Sequence, residues 1–153
     1  MEQKEEWRHA LADGVPVVLL CGVSGSGKTY VARQLEREGY EVLSVDHIAW
    51  PENDFPAATA EMFRRLRELL SQGRRVVVDS TMCKRAKRDE ARRICAEAGA
   101  ECRFVYLQAP RQVLLDRLAA RGGSGPDDQV VSPEQLDRFL SNFEPPKPGV
   151  EDC

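Results

Sequence analysis

Apolar positions along the chain follow two alternating patterns. Pro16-Val-Val-Leu-Leu-Cys21 is a continuous apolar run of strand length bounded by glycines, and an unbroken run predicts a strand covered on both faces. From Gly27 to Glu38 the spacing of Val31, Ala32 and Leu35 is helical, with Gly39 as a C-terminal stop. Val42 to Val45 read as a second short strand and 51–56 as a loop. Met62, Phe63, Leu66, Leu69 and Leu70 then line one helix face up to Gly73, and Val76 to Val78 form a third strand. Ala91, Ile94, Cys95 and Ala98 recur at i, i+3, i+4 and i+7, which predicts an amphipathic helix over 84–98. Phe104 to Leu107 read as a fourth strand, and Pro110 opens a helix carrying Val113, Leu114, Leu115 and Leu118. Gly122 to Asp128 break the pattern with three glycines and a proline. Ser132-Pro-Glu-Gln135 is a capping box that starts a last helix through Phe143. Residues 1–13 read as a polar helix or arm, and 144–153 as irregular.

Strands alternating with helices imply a parallel sheet with helices on both faces, because right-handed crossovers place them there. The expected class is therefore a three-layer α/β/α fold. A length of 153 residues makes it one domain over 1–153. Composition changes this picture little: 42% hydrophobic and 31% charged residues exclude disorder, and no apolar run is long enough to span a bilayer. The net charge of −3 offers no global attraction to nucleic acid or anionic lipid. Five scattered cysteines without a CxxC pair argue against a disulfide framework and a zinc site, and imply a reducing, cytoplasmic setting.

The chemistry begins at Gly22-Val-Ser-Gly-Ser-Gly-Lys28-Thr29, which matches GxxxxGK[ST] between a buried strand and a helix. Glycines let the backbone wrap phosphates, and the following helix adds its positive end. The expected nucleotide contacts are Gly22, Ser24, Gly25, Ser26, Gly27, Lys28, Thr29 and Tyr30, with Lys28 on the β- and γ-phosphates of ATP and Thr29 on Mg²⁺. Asp46 ends the second strand, where ligands of open α/β sheets gather, and is the candidate general base for a substrate hydroxyl; a turn-capping aspartate would read the same way. His47 beside it reads equally as a packed neighbour or a substrate contact. Asp79 leaves the third strand where a magnesium-binding carboxylate would sit, with Ser80 and Thr81 adding hydroxyls. Arg117 and Arg121 lie one helical turn apart before the glycine-rich stretch, so residues 121–132 read as a mobile lid, with a plain linker as the alternative. Lys84, Arg85, Lys87, Arg88, Arg92 and Arg93 form a basic run that reads as a solvated helix face or as a receptor for an anionic substrate, in which case Arg85 and Arg88 make the contacts. Trp50 and Phe55 offer rings for stacking or cover for the core.

Taken in order, these residues resemble the small P-loop kinases that include gluconate kinase, the kinase domain of polynucleotide kinases, zeta-type toxins and chloramphenicol phosphotransferase. The resemblance spans about residues 15–146 and rests on Gly22–Thr29, Asp46, Val76-Val-Val-Asp-Ser-Thr81, Arg103-Phe-Val-Tyr-Leu107, Arg117 with Arg121, and Phe143-Glu-Pro-Pro146. It implies strand order 2-3-1-4, Asp46 as the hydroxyl-activating aspartate, Arg121 as a lid arginine on the transferring phosphoryl, and Arg117 on phosphate or adenine. The histidine- and asparagine-containing sugar loop of gluconate kinases is not apparent in residues 46–60, which speaks against gluconate. Many relatives continue with a fifth strand, so the chain is expected either to stop at four or to be shortened.

The expected activity is ATP- and Mg²⁺-dependent transfer of a phosphate to the hydroxyl of a small molecule. A 5′-hydroxyl polynucleotide kinase, motivated by the basic run, and a nucleotide-gated switch or partner-binding ATPase are the alternatives.

Overall fold

The structure, a computed structural model, describes residues 14–146. The arm expected over residues 1–13 and the tail beyond Pro146 lie outside the described residues. Four strands, β1 (Val17–Cys21), β2 (Glu41–Ser44), β3 (Val76–Asp79) and β4 (Cys102–Tyr106), form one sheet in the order β2-β3-β1-β4. Every pairing is parallel. The helices are α1 (Lys28–Arg37), α2 (Val45–Ala49), α3 (Phe55–Ser71), α4 (Arg85–Glu97), α5 (Arg111–Ala119) and α6 (Pro133–Asn142), with a 3₁₀ turn at Pro126–Asp128. The expected three-layer P-loop kinase fold and its strand order are what the chain adopts.

All five β1 side chains are fully buried. Val17, Leu19 and Cys21 face Met62, Phe63 and Leu66 of α3 and Ala91, Ile94 and Cys95 of α4. Val18 and Leu20 face Val31, Ala32 and Leu35 of α1. Burying a Val or Leu contributes roughly 1.5–3 kcal/mol, so the most apolar run takes the middle of the sheet. A smaller cluster of Val23, Leu114, Leu118 and Leu136 fastens α5 and α6 to the loop after β1. Cys21, Cys95 and Cys102 are buried, as packing residues are, and Cys83 is half-buried.

Several boundaries differ from the sequence pattern, among them the start of the helix at Phe55 inside the expected 51–56 loop. Val45 continues no strand: the Ser44 hydroxyl accepts from the His47 amide at 3.3 Å and caps α2, so Asp46 sits in the first turn of a short helix. β4 begins at Cys102 because its register is set by β1, from Val17↔Cys102 to Cys21↔Tyr106. The capping box is formed as expected, with Ser132 and Gln135 bonding reciprocally. No helix among the described residues is long and apolar enough to cross a membrane.

Candidate functional site

Central strand β1 delivers the chain to residues 22–27 at the carboxyl edge of the sheet, and α1 leaves from there. Only glycine fits the turn. A Cβ on Gly22 would lie 2.6 Å from both the Leu107 carbonyl oxygen and Ser26 Oγ, and Gly25 and Gly27 hold φ of +85° and +108°. Because Gly27 caps α1 without a side chain, the first amides of that helix have no acceptor from the cap. Lys28 is nearly buried, and its Nζ folds back to donate to the Val23 carbonyl at 3.1 Å. Ser26 Oγ is buried with no hydrogen-bond partner among the described residues. An orphaned hydroxyl inside a ring of amides and one ammonium is complementary to an oxyanion.

Around this loop opens a cleft of about 680 Å³. Asp46 and Asp79 line one side, Leu107, Gln108, Ala109, Pro110 and Val113 another, and Tyr30, Arg117, Arg121, Pro126 and Asp127 complete it. Ser24, Gly25, Ser26, Gly27 and Thr29 form its floor. Arg117 Nη1 donates to the Gly25 carbonyl at 2.8 Å and braces the loop. Arg121 lies past the end of α5 rather than on it, and its Nη1 is 3.5 Å from the Gln129 carbonyl.

Lys28, Asp46 and Asp79 share this low-dielectric space. Burial pulls the Lys28 ammonium below its usual range, against the attraction of Asp79 and Asp46. Burial pushes the Asp46 and Asp79 carboxyls above theirs, each opposed chiefly by Lys28. Shifts of this kind accompany functional clefts. Thr29 Oγ1 donates to Asp79 Oδ2 at 3.4 Å, which brings two hard oxygen donors together. No group of three or more His, Cys, Asp or Glu side chains suited to a metal occurs among the described residues. Mg²⁺ keeps most of its waters and takes one or two protein oxygens beside phosphate, so the Thr29–Asp79 pair fits it.

A second cavity of about 370 Å³ adjoins the cleft at Thr29, Asp79 and Asp127 and is lined further by Arg33, Ser44, His47 and Arg65. Asp127 closes the boundary: its carboxylate takes Arg33 Nη2 at 2.9 Å and His47 Nε2 at 2.8 Å. Sequence reasoning overlooked Asp127, because nothing in the pattern separates it from Asp128, which instead folds the 122–128 turn by accepting from Gly122 N, Ser124 N and Ser124 Oγ. It also overlooked Leu107 to Pro110, although their place just past β4 was a usable signal.

The substrate contacts expected from the basic run need correction. Arg88 is fully buried and donates from Nη1 to the Met82 carbonyl at 2.6 Å, so it cannot meet an acceptor. The Arg85 side chain pairs loosely with Asp89 at 3.7 Å and lines neither cavity. Arg92 lies over the Phe104 ring at 4.7 Å and bonds Asp89, and Lys87 faces Glu90. Arg88 is thus turned inward and Arg85, Lys87 and Arg92 face acidic neighbours, while Lys84 and Arg93 are exposed. Trp50 is partly exposed at the end of α2 and lines neither cavity.

A family model described as an AAA domain matches residues 17–146. The chain is similar to a gluconokinase from Sinorhizobium meliloti 1021, at 26% identity and a TM-score of 0.65, covering 88% of this chain and 78% of that one. Kti12 of Chaetomium thermophilum, in complex with ADP-AlF3, is 18% identical with a TM-score of 0.69, over 87% of this chain and 82% of that one. A chain of the Pnkp1/Rnl/Hen1 RNA repair complex is 19% identical with a TM-score of 0.67; 82% of this chain matches 43% of that one. No curated protein matches the sequence.

Proposed function

The chain belongs to the AAA domain family and to the P-loop kinases within it, and we propose that it moves the γ-phosphate of ATP onto a hydroxyl of a small-molecule acceptor. The observation that carries this reading is the place of Asp46: a half-buried carboxylate lining the same cleft as Lys28 and the phosphate loop, where a hydroxyl aimed at a γ-phosphate needs its proton accepted.

ATP lies with its phosphates over residues 22–29 and its base toward Gln108, Pro110, Val113 and Arg117. Lys28 exchanges the Val23 carbonyl for phosphate oxygens, and the Ser26 hydroxyl gains the partner it lacks. Thr29 and Asp79 would hold magnesium, and the chemistry it would supply there is neutralisation of phosphate charge. The acceptor enters from the side of the second cavity, past Asp127. As its oxygen bonds to the γ-phosphorus and the β–γ bridge breaks, the proton passes to Asp46 and ADP is left. Arg121 offsets the charge that spreads over the transferring group, and residues 121–132 shield it from water.

The test is transfer from γ-labelled ATP with Mg²⁺ to a panel of polyols, nucleosides, aminoglycoside-type antibiotics and a 5′-hydroxyl oligonucleotide, with Lys28→Ala as control. A labelled small molecule that requires Lys28 is the expected result. Labelling of the oligonucleotide alone moves the acceptor to nucleic acid, and ATP binding with no acceptor labelled favours a nucleotide-gated switch.

A further inference from the structure

The largest fully buried side chain among the described residues is charged: Arg88, in the first turns of α4, has no exposed surface. Its Nη1 donates to the Met82 carbonyl at 2.6 Å, and the Cys21 thiol reaches the same oxygen at 3.6 Å. Met82 holds a φ of +49°, in the left-handed region that a side-chain-bearing residue adopts only when its surroundings enforce it. Donors from α4 and from the end of β1 therefore converge on one peptide and fix the way the chain turns after β3.

That turn bears on the phosphate loop. One residue earlier, the Thr81 carbonyl accepts from the Gly22 amide at 3.1 Å. The ladder between β1 and β3 ends at Leu20↔Asp79, so this bond extends it past the strands, to the first residue of the loop. A Cβ on Gly22 would lie 2.6 Å from both Ser26 Oγ and the Leu107 carbonyl oxygen, so the Gly22 backbone packs closely against the phosphate cradle. From the other side, Glu144 N donates to the Cys83 carbonyl at 2.7 Å, while its Oε1 accepts from Arg85 N at 2.9 Å. Phe143 stacks on Tyr106 with ring centroids 5.7 Å apart. The Phe143-Glu144 segment thus straps the turn down from outside, and Arg88 holds it from within.

We infer that Arg88 is a positioning residue for nucleotide binding, acting through the Met82 and Thr81 carbonyls on Gly22. An apolar side chain of the same volume would fill the space but leave the Met82 carbonyl without its guanidinium donor. The turn would then relax from its left-handed geometry, and the Thr81 carbonyl would release Gly22. The inference rests on phosphate binding at residues 22–29 and not on the identity of the acceptor.

The experiment measures two things in the full chain: amide hydrogen exchange at Gly22 against Leu19 and Leu20 of β1, and affinity for Mg²⁺-ATP by calorimetry. The variants are Arg88→Met and Arg88→Lys, with Lys28→Ala as the nucleotide control. Arg88→Met should lose protection at Gly22 while β1 keeps it, and should bind ATP roughly tenfold or more weakly, as small misplacements of a binding loop do. Arg88→Lys, which keeps a donor and the charge, should recover part of both. Wild-type protection at Gly22, or wild-type ATP affinity in folded Arg88→Met, overturns the inference. So does a loss of protection spread evenly over β1 and Gly22, which marks a merely structural role. Should Arg88→Met not fold, Arg88→Lys decides: selective exposure of Gly22 supports the linkage and unchanged exchange overturns it. A wild-type chain that fails to bind ATP would defeat the kinase reading, and exchange at Gly22 then judges the Arg88 linkage by itself.

Discussion

The phosphate-loop end of the cleft and the segment around Asp127 both pair opposite charges, but in different surroundings. Lys28 and Asp79 are 8% and 7% exposed, and burial is the leading influence on Lys28, Asp46 and Asp79 alike. The contact of Asp127 joins side chains that are half in water: Arg33 is 58% and His47 50% exposed. Removing one partner of a buried charged group costs about 3–5 kcal/mol, whereas an exposed pair contributes about 0–1 kcal/mol. The loop end is thus a fixed frame for charge, whereas Asp127 is held by contacts that can be exchanged at little cost. That division suits a site that must hold phosphates still and admit a second substrate.

Each prediction presses on this contrast, and the largest effect should fall on the buried side. Lys28→Ala should lower transfer from labelled ATP by roughly 10²–10³-fold or more, the loss typical of one preorganised charge-stabilising group. A variant retaining near-wild-type turnover would remove Lys28 from the chemistry.

Asp46→Asn should keep ATP affinity and lose about 10²–10⁴-fold in transfer rate, which single-turnover kinetics can separate from binding. Because burial raises the Asp46 carboxyl, wild-type transfer should climb with pH through a midpoint above the ordinary aspartate range, and that limb should vanish in the variant. Stability carries the same signature with the opposite sense. The native state holds these protons after the unfolded chain has released them, so folding stability should fall as pH rises from the ordinary aspartate range through the raised values. Asp46→Asn should flatten part of that fall in denaturant titrations.

A paired glycine experiment compares the two regions by backbone alone. In Gly22→Ala the new methyl meets the Leu107 carbonyl oxygen at 2.6 Å, so a loss of about 1–3 kcal/mol is expected. In Gly123→Ala the nearest atom is Val130 Cγ2 at 3.4 Å and only the φ of +78° resists, for about 1 kcal/mol. Equal losses by thermal melting would erase the distinction between the two regions.

The smallest effect belongs to Asp127→Ala. Stability should change by less than about 1 kcal/mol and the change should shrink with added salt, since the pairs with Arg33 and His47 are solvated. Transfer should respond mainly through the acceptor's KM, because Asp127 lines both cavities.

Much of this was legible in residue order. The unbroken apolar run at Val17–Cys21, the glycine spacing before Lys28 and Thr29, and the acid after Val76–Val78 each carry local constraints that few other structures satisfy. Asp46 was recognised as a site residue but placed on a strand end, because the Ser44 cap that starts α2 competes with the strand pattern over only two residues. Arg88 was misread for a different reason. Its neighbours Lys87 and Arg92 are basic as well, and charge counting along a helix does not tell which cation turns inward; the geometry of Met82 decides that.

The sequence by itself determined the parallel α/β class, the phosphate loop and the set of charged residues available to it, since periodicity and glycine chemistry act over a few residues and need no distant partner. Tertiary structure alone decided which of those charges meet. Asp127 comes 80 residues after His47 and 94 after Arg33, and Arg88 reaches the phosphate loop only through carbonyls on another strand's extension. Such contacts follow from how the layers pack, and the desolvation that shifts Lys28, Asp46 and Asp79 exists only once the packing has excluded water.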